Sequence, residues 1–435
     1  MKCQGGCSLL AALHIALAVL HGSSATRDHS SSHKDPFESR PYVEHFAKGH
    51  HSSHTGTLSH EDAELNLDRD SIRANQMAVA HTGEAHERKP ICWREESGLG
   101  QYPKLTGTWQ DSSTEGFRGF YDASRDCPKY GHDFDCRRPY KGTPEGRVEE
   151  EFSKVFTPDQ CSLDMLDPAR FDELLAGRRL IMFGDSIMRL QWLSLACMLR
   201  SQSVEETGVG VSWSKTGLPQ GEYVSSWGQD GVREVAKQFA GEFTLKLGGQ
   251  VIVRDVGIFN DTLMRELIEE LGQLKGTDIV LINWGAWYPR FTWGYTEAPW
   301  EAWQEHMAQL FRDFLVPAPG RVIWKEYTPQ HFEGALGSDP GYARRLDGGP
   351  WQTECAPARV GEFWFNDWIA HFLSATCEGN CSHIQVLPIF NMSLPRYKSH
   401  FGSFGRGAAD GYADCLHWCH NVADWWNVLL YNMLL

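Results

Sequence analysis

Two short stretches of this chain hold side chains suited to acyl transfer. The first is Gly184-Asp185-Ser186, placed where an apolar run (RLIMFG, residues 179–184) gives way to residues at helical spacing. A serine there presents its hydroxyl at the end of a strand, and its backbone N–H lies at a helix N-terminus. The unpaired donors and partial positive charge of that terminus suit a developing oxyanion. Asp185 or Ser186 would serve equally well as a plain helix cap. A hydroxyl also needs a base to act as a nucleophile, and the base needs a partner that fixes its tautomer. The second stretch, Asp414-Cys415-Leu416-His417-Trp418-Cys419, supplies both. On a turn or irregular loop, an Asp three residues before a His can reach its Nδ1 while Nε2 faces outward. His417 could instead be a satisfied core histidine, but disulfides at Cys415 and Cys419 would clamp the loop rigidly, as a catalytic dyad requires.

The elements that must bring these stretches together read as alternating strands and helices. Strands are expected at 179–184, 249–256, 278–284, 321–327 and 384–389, and helices at 187–200, 260–274, 299–315, 363–375 and 424–435. Such alternation implies a mostly parallel sheet covered on both faces, with the site beyond the carboxyl ends of the strands. Ser186 falls there, and so does Asn283, whose amide could be an oxyanion donor or could satisfy strand-end backbone. Arg189, one helical turn after Ser186, fits a place near an anionic ligand or a structural ion pair. Trp284, Trp287 and Tyr288 follow Asn283, where flat rings could stack on sugars or fill the core. His331 and Arg396 are weaker site candidates.

Composition bounds what such a site could serve. The 435 residues carry 41 Lys+Arg against 56 Asp+Glu, a net charge of −15, and 41% are hydrophobic. That share can build a core, while the acidic balance excludes nucleic acid as the main partner and a polybasic membrane anchor. Nothing signals a metal, flavin or nucleotide fold. Residues 1–25 read as a cleaved signal peptide or an uncleaved anchor: Lys2 precedes a short apolar run and Ser23-Ser24-Ala25 offers a cleavage site. Residues 26–90, His- and Ser-rich without hydrophobic period, read as a disordered stem. Twelve cysteines fall to ten if Cys3 and Cys7 leave with the leader, an even number that suggests disulfides in the secretory route. Sequons at Asn260, Asn391 and Asn380 agree with that route.

Ser186 on the first strand and the late D-x-x-H together resemble the arrangement of SGNH/GDSL hydrolases. The stretch G-D-S-x-x-R-x-Q-W-x-S-L-x-C from Gly184 to Cys197 resembles the plant trichome birefringence-like proteins of the PC-esterase group. So do D-C-x-H-W-C from Asp414 to Cys419 and D-x-W-N from Asp424 to Asn427. Further matches are G-T-W at Gly107, Cys127-Pro128, Phe134-Asp-Cys136, Cys161-Ser-Leu, Ala169-Arg-Phe-Asp172, Asn283-Trp-Gly-Ala-Trp and Thr328-Pro-Gln-His331-Phe. The resemblance runs in order from about residue 92 to the C-terminus. One departure is His420-Asn421-Val422, where L-P-G is usual, which touches the substrate side of the loop more than Asp414 and His417.

The resemblance implies an SGNH-like three-layer α/β/α core (residues 166–435) with a smaller disulfide-linked N-terminal lobe (residues 91–165). It implies a polysaccharide O-acetyltransferase in the Golgi lumen or secreted to the cell wall. Ser186 would be the nucleophile, His417 the base and Asp414 its orienting partner, with the Ser186 N–H and the Asn283 amide as oxyanion donors and Arg189 near the site. The acetyl donor would be a co-substrate, acetyl-CoA or another acetyl carrier, or a membrane acetyl-supplying protein, with no bound cofactor. An esterase or deacetylase using the same three residues, or a non-catalytic polysaccharide binder, are the alternatives. The family pattern suggests the pairs Cys92–Cys161, Cys127–Cys197, Cys136–Cys419 and Cys355–Cys415, with Cys377–Cys381 as a local extra bridge.

Overall fold

The computed structural model describes residues 89–94, 104–112, 119–121, 136, 151–203, 212–213, 239–257, 259, 261–286, 299–332, 355–358, 364–377, 381–402 and 414–435. In chain order, β1 (Gly107–Asp111) and β2 (Lys154–Pro158) are followed by α1 (Pro168–Leu174), β3 (Arg179–Gly184) and α2 (Ser186–Met198). Next come β4 (Ser212–Trp213), β5 (Phe239–Thr244), β6 (Gln250–Asp255), α3 (Asp261–Glu270), β7 (Ile279–Asn283) and α4 (Pro299–Leu310). The chain then forms β8 (Arg321–Lys325), α5 (Trp364–Cys377), β9 (Ile384–Leu387), β10 (His400–Gly402), β11 (Asp414–Trp418) and α6 (His420–Leu434).

Seven strands make one sheet in the order β4-β5-β6-β3-β7-β8-β9. β6, β3, β7, β8 and β9 run parallel to one another, and β5 and β4 close the edge antiparallel. The expected mostly parallel α/β sheet is therefore present, with an antiparallel edge outside the sequence expectation. β5 returns into β6 through a tight turn at Leu245–Gly249, where Gly248 takes φ +81°. The five parallel strands are apolar along nearly their whole length, as burial on both faces requires.

Alternation along β8 shows the two helical layers. Trp324 packs on Phe311, just past the end of α4, which in turn packs on Phe372 of α5. Its neighbour Lys325 points the other way, 4.1 Å from the centroid of Trp426 on α6. α6 lies against α2 on that face.

The spacing of D-x-W-N is explained by this α2–α6 seam. Asp424 Oδ1 accepts from Ser194 Oγ at 2.5 Å and from the Tyr121 hydroxyl at 3.0 Å, while Oδ2 lies 3.2 Å from His420 Nδ1. Asn427 Nδ2 donates to the Gln191 carbonyl at 3.1 Å and to Ser194 Oγ at 2.9 Å. Between them in the motif, Trp426 Nε1 donates to Ser393 Oγ at 2.9 Å.

Three of the expected disulfides are present: Cys92–Cys161, Cys136–Cys419 and Cys355–Cys415. Cys197 and Cys381 are disulfide-bonded as well. The expected partner Cys127 and the side chain of Cys377 lie outside the described residues, as do the leader, almost all of the stem, Asn260 and Asn380. Asn391 is exposed.

Asp424→Ala should lower stability by ~2–4 kcal/mol, because it strips a buried acceptor from two hydroxyls and a histidine. Urea unfolding checks this, and a loss below ~1 kcal/mol would contradict a keystone role for Asp424.

Candidate active site

The turn from β3 into α2 sets the serine. Gly184 lies so close to β7 that a Cβ on it would press into the Asn283 carbonyl and Met188. Asp185 is the N-cap of α2, and its Oδ1 accepts from the Ile187 N–H at 3.0 Å. Its other oxygen, Oδ2, accepts from the N–H groups of Gly285 at 3.3 Å and Ala286 at 3.0 Å, beyond the end of β7. Asp185 thus caps the helix and ties the serine turn to the neighbouring strand's loop. Ser186 is the first residue of α2, where backbone N–H groups have no acceptor within the helix.

Ser186 Oγ lies 2.8 Å from His417 Nε2, and His417 Nδ1 lies 2.7 Å from Asp414 Oδ2. The three side chains singled out in the sequence therefore form one hydrogen-bonded chain across 231 positions. Asp414 and His417 sit on β11 rather than on a loop, which corrects the expectation. On a regular strand, residues three apart face opposite sides. Here Asp414 Oδ1 accepts from the N–H groups of Leu416 at 3.1 Å and His417 at 3.0 Å, and the pairing of β10 with β11 is irregular. That local turn brings the carboxylate and imidazole to one side. Burial pushes the Asp414 carboxyl up, but the His417 charge and hydrogen bonds outweigh it and hold the group below its ordinary value. Phe401 stacks on the His417 ring with centroids 5.9 Å apart.

Other expected site residues fall differently. Asn283 Nδ2 donates to the carbonyls of Lys325 at 3.1 Å and Glu326 at 3.2 Å, so its amide satisfies strand-end backbone instead of facing the serine. Trp284 is buried, with its Nε1 donating to the Val256 carbonyl at 2.7 Å, so it is core and not a sugar platform. His331 is also fully buried, which removes it from any substrate surface. Trp287 and Tyr288 lie outside the described residues. Arg189 pairs with Asp255 at 2.9 Å, its side chain 34% accessible. Arg396 is buried and pairs with Glu151 at 3.0 Å.

Sequence reasoning missed Asp255, Lys325 and His400. Asp255 ends β6 beside Gly184 in register, and burial pushes its carboxyl up to about 6 against the opposing Arg189 charge. An acid closing the apolar run VIVRD at the carboxyl edge of a parallel sheet was the available signal. Lys325 lies under the serine turn, its Nζ 3.5 Å from the Ile187 carbonyl. Burial lowers it to about 7, with Asp185 opposing, and burial likewise raises Asp185. Among the described residues no cluster of His, Cys, Asp and Glu could hold a metal ion.

The Lys325 shift has a definite sign. Its folded value lies below the usual 10.5, so between about pH 7 and that value the unfolded chain binds more protons and stability rises with pH. Lys325→Met should flatten this rise relative to the parent chain. Urea unfolding at several pH values in that window checks it, and parallel slopes would contradict it.

Residues 163–433 match the PC-Esterase family, described as a GDSL/SGNH-like acyl-esterase family found in Pmr5 and Cas1p. Among curated proteins, the chain is 26% identical to Protein trichome birefringence of Arabidopsis thaliana over 67% of this chain and 50% of that one. It is 24% identical to Protein trichome birefringence-like 41 of the same plant, over 76% of this chain and 89% of that one. The chain thus spans about half the length of the first relative and most of the second. Among solved structures, a catalytic mutant of an acetylxylan esterase from Geobacillus stearothermophilus is 14% identical, covering 59% of this chain and 94% of that one with a TM-score of 0.27. With its α/β sheet and a family match over more than half its length, the chain belongs to the PC-esterase family.

Proposed function

We propose that this protein is a polysaccharide O-acetyltransferase working through a Ser186-linked acetyl intermediate. The observation that carries the reading is the hydrogen-bonded chain Ser186–His417–Asp414, at 2.8 and 2.7 Å. In the first half-reaction, His417 Nε2 takes the Ser186 proton as Oγ attacks the acetyl carbonyl of the donor. The bond from the carbonyl to the donor's leaving group breaks, and the proton on His417 passes to that group. In the second, His417 takes the proton of a sugar hydroxyl, whose oxygen attacks the acetyl carbon and releases Ser186 with its proton restored. Asp414 keeps His417 Nδ1 protonated and steadies the imidazolium. The Ser186 N–H, at the first position of α2 where N–H groups lack an acceptor within the helix, is the donor assigned to the developing oxyanion.

The preference for a sugar hydroxyl over water as acceptor rests on the resemblance to the trichome birefringence-like proteins. The donor is acetyl-CoA, another acetyl carrier or a membrane acetyl-supplying protein. Disulfides in the described fold suit an oxidising compartment, which supports a site of action in the secretory pathway or cell wall. Among the described residues no helix is long and apolar enough to cross a membrane.

Incubating the purified protein with an acetyl donor and xylan, mannan or pectin oligomers should give acetylated oligomers by mass spectrometry. Ser186→Ala should lower the rate by at least about a thousandfold. Acetyl recovered only as free acetate would replace the transferase with an esterase, and undiminished activity in Ser186→Ala would remove the serine mechanism.

A further inference from the structure

A buried histidine pair stands directly behind His417. His400 Nδ1 lies 3.1 Å from the His417 backbone carbonyl, and His400 Nε2 lies 2.6 Å from His331 Nδ1. His331 Nε2 lies 2.9 Å from the Leu394 carbonyl. Both rings are fully buried and pack against Trp418, with centroids 3.8 Å away for His400 and 5.5 Å for His331. The His331 backbone N–H also donates to the Cys415 carbonyl at 3.1 Å, two residues before His417. The segment bearing His331 therefore grips β11 twice, once through its own backbone and once through His400.

Counting protons leaves two arrangements of the neutral pair, because the Leu394 carbonyl beside His331 Nε2 can also only accept. A carbonyl can only accept, so holding the His417 carbonyl requires a proton on His400 Nδ1. A neutral His400 then has a bare Nε2, and the short contact to His331 requires the proton on His331 Nδ1. Burial drives His331 down to about 4 against the opposing Leu394 hydrogen bond, so near neutral pH the pair carries two protons for three contacts. They serve the His417 carbonyl and the contact between the rings, or, with both tautomers reversed, that contact and the Leu394 carbonyl.

We propose that the pair adopts the first arrangement and that His400 and His331 are positioning residues for His417: His400 Nδ1–H fixes the carbonyl of the base, and His331 Nδ1–H holds His400 in the tautomer that can do so. The logic repeats, one layer further back, what Asp414 does for His417. The inference rests on the reading of His417 as the base for Ser186.

The test uses the full chain and a fluorophosphonate probe, which reports activation of the serine without any choice of acceptor. Ser186 Oγ attacks phosphorus, fluoride leaves and the serine proton passes to His417. His400→Phe and His331→Leu should slow labelling by about 10–100-fold, whereas His400→Asn and His331→Asn, each keeping a donor near Nδ1, should recover most of the rate. Parent-level labelling in the Phe and Leu variants, or equal loss in all four, would overturn the proposal. Nitrogen-15 NMR of the histidine-labelled parent chain decides the point if variants fail to fold: a protonated His400 Nδ1 supports it and a bare one overturns it. Absence of labelling in the parent chain would count against the serine mechanism, and the same NMR measurement would still decide the histidine pair.

Discussion

The contact between Ser186 Oγ and His417 Nε2, 2.8 Å long, is the constraint on which the rest of this structure turns. One partner stands on the rigid side, at the end of the central parallel strand and the start of a buried helix. The other stands on β11, which among the described residues pairs only with the short β10 and lies outside the seven-stranded sheet. A two-stranded ribbon is marginal alone, so its position must come from elsewhere. Cys415 is bonded to Cys355 and Cys419 to Cys136, fixing β11 at its second residue and just past its end. The second of these closes a separation of 283 residues, the kind of closure that removes much freedom from the unfolded chain.

The electrostatics under the site are costly and mutually compensating. Asp185 and Asp255 are both buried at the strand ends and raised by that burial, and the Asp185 charge raises Asp255 further. Three backbone N–H groups donate to Asp185, and Arg189 meets Asp255. Lys325, buried below them, lends positive charge that opposes the rise at Asp185. Such an arrangement leaves few alternative positions for the serine turn, because moving it would strand a buried charge.

Much of this was legible in the sequence because periodicity reports burial. The expected strand at residues 179–184 coincides with β3, and the other four expected strands overlap β6, β7, β8 and β9. The edge strands β4 and β5 were not legible, since Phe239–Thr244 mixes Gly and Glu into a run that lacks either period. The serine, the histidine and the aspartate stood out by type and spacing, but a helix cap and a core histidine fitted the same residues. It was the family resemblance that joined the three, as their hydrogen bonds do here. Asn283 and Trp284 were misplaced because strand-end residues serve either the site or the backbone, and only the partners of their polar atoms separate the two. His400 left no trace, as nothing local distinguishes a histidine that meets another chain segment from one that meets solvent.

The most direct measurement is peptide mass spectrometry of protein mixed with an acetyl donor and quenched with acid before acceptor is added. An acetyl group is expected on the peptide bearing Ser186, formed by the parent chain and absent in His417→Ala. Acetyl found on another residue, or on Ser186 at the same rate without the imidazole, would contradict it.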